Sequence, residues 1–355
     1  GWEAALLALD PERQGSTPDA LTVGQYLTRI QPLAKVRARS WAVYVYALRK
    51  IARGAAGLRD QSGSRFNPKA TSWREQADKV GLDKLTAAAV EQWKTDFLAE
   101  AGKTPLAMQR ARRSVNSYIR SARALFSRRI VRRLAEANVT LPEPLPFAGV
   151  ELERQGSTRY ISNIDPKQLL VDARAALADT RADVYKVILL ALGAGLRRAE
   201  IDALQWSQFN FRRAEVRIAT TDEFETKTDD SNGTVFVDAA LLAELKRVRG
   251  KVVEGFVVQN GTPMPEKRKG QFYRCQDTFL EATAWLRAAG VVGDKPLHTL
   301  RKEFGSLICE QADIHTASRQ LRHSTIGTTA AYYVDNRRRA VVSVGAMLAG
   351  KGVAK

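Results

Sequence analysis

Cysteine is nearly absent from this chain: Cys275 and Cys309 are two in 355 residues, too few for a disulfide framework. Neither stands at metal-ligand spacing from any of the three histidines, so the sequence predicts a reducing compartment and no metal site. Long apolar runs are missing as well. The two longest, around Val187 to Leu196 and Ala340 to Gly350, fall well short of the ~20 residues that cross a bilayer, which excludes a helical membrane span. No charged-then-apolar leader opens the chain, and Gly1 stands where Met is expected, which predicts a start with something missing upstream. The most local absence is of negative charge. Between Glu100 and Glu136 there is no acidic residue, while Lys103, Arg110, Arg112, Arg113, Arg120, Arg123, Arg128, Arg129, Arg132 and Arg133 all occur.

What is present is enough apolar material for a sizeable core, 45% hydrophobic against 26% charged residues, on a chain long enough for two domains. The 56 Lys and Arg against 38 Asp and Glu leave +18, a balance that calls for a polyanionic partner, nucleic acid ahead of an acidic membrane surface. Residues 1–150 hold 25 basic and 13 acidic residues and the remainder 31 and 25, so the first part is the more basic. Within the acid-free stretch Val115, Tyr118, Ile119, Ala122 and Phe126 recur at three-to-four spacing, the stripe of an amphipathic helix. Arg112, Arg113, Asn116, Arg120 and Arg123 fall largely on its other side. With Lys103, Arg110, Arg37 and Arg39 they form the candidate DNA-binding set, the alternative being a solubilising basic face.

Trp41, Tyr44, Ala47, Leu48 and Ile51 repeat the helical spacing and Leu85 to Leu98 adds a further helix, so residues 21–140 read as a helical domain behind a 1–20 extension. The prolines of Leu141-Pro-Glu-Pro-Leu-Pro146, followed by Gly156 and Ser157, predict a linker over 141–157. A second domain over 158–336 opens with helical patterns at Pro166–Leu177 and Asp183–Leu192. Gly193 and Gly195 interrupt them, and a new helix is expected near Arg197. Val216 and Ile218, then Asn232-Gly233, then Val235 and Val237 predict two strands with a hairpin turn at the Asn-Gly pair. Helices return after it, and residues 337–355 form a tail. The expected fold is mainly α, a helical N-terminal domain plus a mostly helical C-terminal domain with a small antiparallel β-sheet.

Four short motifs of the second part carry chemistry. Gly195-Leu-Arg-Arg-Ala-Glu200 taken singly is a surface arginine pair with a Glu one turn on, and Thr226-Lys227-Thr228 an exposed hairpin lysine. In His298-Thr-Leu-Arg301 the spacing puts both side chains on one helical face, opposite Leu300, Phe304, Leu307 and Ile308. Last comes Leu321-Arg-His-Ser-Thr-Ile-Gly-Thr-Thr-Ala-Ala-Tyr332. Together and in this order the motifs resemble the boxes of the tyrosine recombinase (phage integrase) family, whose last box sets a histidine nine residues before the nucleophilic tyrosine. That spacing from His323 selects Tyr332 over the adjacent Tyr333, which reads as packing. The chain departs from the family at Arg322, where Gly is usual.

The resemblance implies a catalytic set of Arg197, Lys227, His298, Arg301, His323 and Tyr332, with no metal and no cofactor. It further implies a core-binding N-terminal domain that closes a clamp around double-stranded DNA, a homotetramer on paired sites, and a prokaryotic or phage-type protein of the cytoplasm and nucleoid. A C-terminal tail docking into a neighbouring protomer belongs to the same expectation. The expected activity is site-specific strand cleavage and rejoining, as by an integrase. A type IB topoisomerase, a hairpin telomere resolvase and a catalytically inactive architectural DNA binder are the alternatives. The physics agrees with the resemblance. Paired arginines and a histidine can donate to the non-bridging oxygens of a phosphodiester where charge builds in the transition state, and a tyrosine, with a pKa near ~10, needs a base or a positive field to attack. The resemblance assigns His298 as proton acceptor or phosphate donor, and Lys227 as the acid for the departing 5′ oxygen.

Overall fold

A computed structural model of the chain describes residues 21–58, 71–102, 104–156, 160–221, 224, 232–259, 261–262 and 273–333. The chain divides into two compact units, Gly1–Ser157 and Thr158–Lys355. Lys103, Lys227 and the expected tail lie outside the described residues.

The first unit is helical: α1 Val23–Ile30, α2 Ala38–Ala55, α3 Thr71–Asp78, α4 Ala87–Ala99, α5 Pro105–Ala124 and α6 Arg128–Glu136. Local sequence starts these helices. Thr22 and Gln25 satisfy each other's backbone N–H groups in a capping box ahead of α1, and Thr104 caps α5 with Pro105 in its first turn. The apolar stripes then meet: Ala47, Leu48 and Ile51 of α2 pack with Val115, Ile119 and Ala122 of α5 in one core. Tyr26 closes that core from α1. Its ring stacks on Phe126 with centroids 4.6 Å apart, and its hydroxyl donates to the Leu125 carbonyl at 2.9 Å.

Two expectations are corrected in this unit. The predicted linker is tied down as far as Glu153: Phe147 and Val150 are buried in the core, and Lys94 donates to the Glu151 carbonyl at 2.7 Å. The partners of that strap are two members of the predicted DNA-binding set. Asn116 is 1% exposed, donating to the Glu153 carbonyl and accepting its N–H at 2.8 Å each, and Arg123 donates to the carbonyls of Val150 and Phe147. Both lie on the helix face that the strap covers, and their polar groups are engaged by its backbone. Arg110, Arg112, Arg113 and Arg120 remain exposed on α5, as do Arg37 and Arg39 before and within α2.

The second unit holds α7 Pro166–Leu177, α8 Ala182–Gly193, α9 Arg198–Ala203, β1 Phe209–Asn210, β2 Glu215–Ile218, β3 Gly233–Phe236, α10 Ala239–Arg249, α11 Gln276–Ala288, α12 Pro296–Gln311, α13 Ile314–Gln320 and α14 Ile326–Tyr333. Helix α8 is buried from Asp183 to Leu192 and packs against α7, α10, α11 and α12, which makes it the axis of the unit. Its two buried charges are satisfied in place. Lys186 pairs with Asp183 at 2.6 Å and donates to the Val257 carbonyl, while Asp183 accepts from the Gln259 N–H at 3.0 Å. The strands form an antiparallel sheet in the order β1-β2-β3 with Val216, Ile218 and Val235 buried. The Asn-Gly pair is not the expected tight turn: Gly233 already pairs with Ile218, and Asn232 accepts from the Thr220 N–H at 3.1 Å. The strands are thus joined by a long connection, which carries Lys227. Among the described residues no helix is long and apolar enough to cross a membrane.

Candidate active site

Helix α8 ends at Gly193, and Gly195 just beyond it has a φ of +59°, a left-handed turn that glycine adopts freely, where a Cβ would overlap the Phe304 ring. The turn aims the Gly195 carbonyl at Arg301 and delivers Arg197 to the N-cap of α9. One turn on, Glu200 is buried at 4% exposure and accepts from both the Arg197 N–H and the Arg197 guanidinium at 2.7 Å. Arg301 arrives from α12. It is 3% exposed, donates to the carbonyls of Gly195 and Leu321, and lies 3.9 Å from the Glu200 carboxylate. Two arginines distant in sequence therefore converge on one buried carboxylate. Burial pushes the Glu200 pKa upward, but Arg322, Arg301 and Arg197 together outweigh it and hold the carboxyl below its ordinary value.

The histidines stand among the same cations. His323 follows the turn after α13, and its Nδ1 is 2.8 Å from the Thr329 hydroxyl on α14. Partial burial, then Arg301, Arg197 and Arg322, pull its pKa down to about 4. His298, one turn before Arg301 on α12, has its pKa likewise pulled down to about 4, by desolvation first and then by Lys302, Arg301, Lys295 and Arg197, although its ring stays accessible. Both imidazoles are thus neutral near pH 7, each with one N–H and one lone pair.

Helix α14 also presents the two tyrosines, with unlike surroundings. Tyr333 is 5% exposed, packs with Phe304 and Leu321, and has its pKa raised by burial. Tyr332 is only half-buried, with its carbonyl accepting from the Tyr160 N–H at 2.9 Å and the Lys302 ammonium 4.7 Å from its ring centre. Arg197 and Arg301 thus meet at Glu200, His298 and His323 feel those same arginines, and Tyr332 lies on α14, whose Thr329 contacts His323. Sequence reasoning missed Glu200 and Arg322 as site residues. The spacing of Glu200 from Arg197 and the unusual Arg322 were the signals that pointed to them. Among the described residues no cluster of three or more His, Cys, Asp or Glu side chains is placed to hold a metal ion.

Residues 164–339 match the phage integrase family. Among solved structures, a Tn1549 transposon integrase in complex with a circular intermediate DNA is 15% identical with a TM-score of 0.55, covering 94% of this chain and 99% of that one. A lambda integrase tetramer bound to a Holliday junction is 13% identical with a TM-score of 0.59, covering 97% and 88%. A lambda integrase dimer bound to a core site is 12% identical with a TM-score of 0.52, covering 91% and 99%. At such identities the likeness is one of fold. No curated protein matches the chain by sequence.

Proposed function

We propose that this chain, whose residues 164–339 form a phage integrase family domain, is a site-specific DNA recombinase that cuts and rejoins strands through a 3′-phosphotyrosyl intermediate on Tyr332. The observation that carries the reading is the convergence of Arg197 and Arg301, from separate elements, on buried Glu200 beside His323. A phosphodiester resists attack because its anionic oxygens repel nucleophiles and its alkoxide leaves poorly. Arg197 and Arg301 answer the first difficulty by donating to the non-bridging oxygens, and a neutral His323 adds a third donor. In the tautomer whose Nδ1 accepts from Thr329, 2.8 Å away, the His323 proton sits on Nε2 and serves the phosphate.

In the cleavage step the Tyr332 oxygen forms a bond to phosphorus, its proton passes to His298, and the bond from phosphorus to the 5′ oxygen breaks. The low pKa of His298 leaves its lone pair free at neutral pH. Lys227 gives a proton to the departing oxygen, a role assigned from the family pattern. The phosphotyrosyl bond retains the energy of the phosphodiester, so rejoining requires no ATP.

The partner is double-stranded DNA. The two lambda and Tn1549 complexes are DNA-bound, and one is a tetramer, so we assign a homotetramer on paired sites, at work in the DNA-containing cytoplasm of a prokaryotic cell. The exposed arginines of α5 are the assigned phosphate contacts of the first unit. The test begins with a duplex selected by binding from a randomised pool and then nicked to trap the intermediate. Wild type and Tyr333→Phe should form an SDS-resistant adduct, and Tyr332→Phe should form none. An adduct with Tyr332→Phe, or a nucleotide mapped to Tyr333 by mass spectrometry, overturns the assignment. Incubation with two partner duplexes then separates strand exchange from relaxation or end-capping.

A further inference from the structure

Arg322 has no part in the chemistry above, yet its placement is costly. Its backbone φ is +50°, in the left-handed region that a long side chain rarely occupies. Its guanidinium is buried, with the side chain 3% exposed. A charge is held in such a place only where a partner compensates it. That partner is Glu200: Arg322 Nη2 lies 2.5 Å from Glu200 Oε2, against 3.9 Å for Arg301. Its stem passes over Gly233 of β3, where a Cβ would come within 3.3 Å of Arg322 Cδ, so the missing side chain at Gly233 leaves room for it. The same turn holds the other two arginines by its backbone, since Arg197 donates to the Arg322 carbonyl at 3.4 Å and Arg301 to the Leu321 carbonyl.

We propose that Arg322 is a positioning residue for strand cleavage, its guanidinium taking Glu200 Oε2 so that the carboxylate orients Arg197 without discharging the pair of arginines that meets the phosphate. Glu200 alone would neutralise one of the two. With Arg322 present, three guanidiniums face one carboxylate, and the site keeps the positive charge that a pentavalent phosphorane needs. The groups facing Glu200 are Arg197 from its own helix start, Arg301 from α12 and Arg322 from the turn after α13. Arg301 in turn feels Tyr333, and His323 feels all three arginines and His298. A change at Arg322 therefore reaches His323 as well, and the test must separate the two routes.

The inference rests on the recombinase reading, and the experiment keeps the two apart. Adduct formation on the selected nicked duplex is followed in a single turnover with the full chain for wild type, Arg322→Gly, Arg322→Lys, Glu200→Gln and the Arg322→Gly/Glu200→Gln double variant. Glycine suits the left-handed backbone, so Arg322→Gly tests the charge without adding backbone strain. Arg322→Gly should bind the duplex as wild type does yet cleave it ~10–100-fold more slowly, with the acid limb of its rate profile moved to higher pH because Glu200 protonates earlier. Arg322→Lys should recover most of the rate. In the Glu200→Gln background the Arg322→Gly change should cost less than about threefold, because its partner is gone. Wild-type rate and profile in Arg322→Gly, no recovery with lysine, or full multiplication of the two losses would overturn the role. No adduct from wild type would instead overturn the recombinase reading. The ion pair itself is read without DNA: as the pH falls below the ordinary carboxylate range wild type loses Tm through Glu200, and Arg322→Gly should lose less of it, because its folded carboxyl titrates closer to the unfolded value.

Discussion

At the scale of single residues the site is a contest between burial and neighbouring charge, and the histidines register the outcome. His323 has an ordinary pKa of 6.5 and a folded value of about 4, since burial and three arginines disfavour its charged form. The unfolded chain therefore takes up the proton first. Stability is complete above pH ~6.5 and drains away as the pH falls toward about 4. We expect wild type to lose Tm across that window and His323→Gln to lose distinctly less, followed by circular dichroism at half-unit steps. His298 is more accessible, so His298→Gln should flatten the curve less. Equal slopes in wild type and His323→Gln would mean that solvent screens the ring. The arginines give a separate expectation in rate: Arg197→Ala or Arg301→Ala should slow adduct formation ~10²–10³-fold, the usual loss for one donor to a developing anion. Of the two, Arg301→Ala should also lower Tm, because Arg301 is the buried one, bonded to Gly195 and Leu321.

At the scale of elements, helix α5 separates what a sequence can say from what it cannot. Its buried stripe of Val115, Ile119 and Ala122 is legible because a helix repeats every 3.6 residues, and so are its capping Thr104 and Pro105. Asn116 and Arg123 were not. Periodicity placed them on the polar side, but their partners lie on the strap at Glu153 and Val150, and no local pattern announces that pairing. The Asn232-Gly233 pair failed for a related reason: the turn chemistry is real in isolation, but the register with Ile218 and the stem of Arg322 set what Gly233 does. In the proposed site, residue types at fixed spacing name Arg197, His298, Arg301, His323 and Tyr332 as candidates, while Glu200 needs three dimensions to show that it faces Arg301 and Arg322. The helix supplies its own test. Neutralising Arg112 and Arg120 together should weaken DNA binding and reduce the slope of log K against log salt by ~1 for each phosphate no longer neutralised. Asn116→Ala should leave the slope alone and lower stability by ~1–3 kcal/mol, through the unpaired Glu153 backbone. The reverse pattern would exchange the roles of the two faces.

At the scale of the whole molecule the two units have separate cores, one built from Val23 to Val150 and the other from Leu169 to Leu300. Separate cores predict separate folding. Fragments 21–156 and 158–355 should each unfold cooperatively, the first carrying the exposed arginines of α5 and the second the arginines around Glu200. We propose that both contact the same DNA site, so that the segment joining them converts the second binding event into an intramolecular one. Effective concentrations across a short connection are on the order of millimolar, and such linkage raises affinity ~10²–10⁴-fold without any new contact. The intact chain should therefore bind the selected duplex at least about a hundredfold more tightly than an equimolar mixture of the fragments at the same salt, measured by fluorescence anisotropy. Its salt slope should approach the total of the two fragments' slopes, since each unit releases its own counterions. If one fragment alone matched the affinity and slope of the intact chain, the other unit would not touch DNA within the site. If the unlinked mixture matched them, the connection would contribute nothing to recognition.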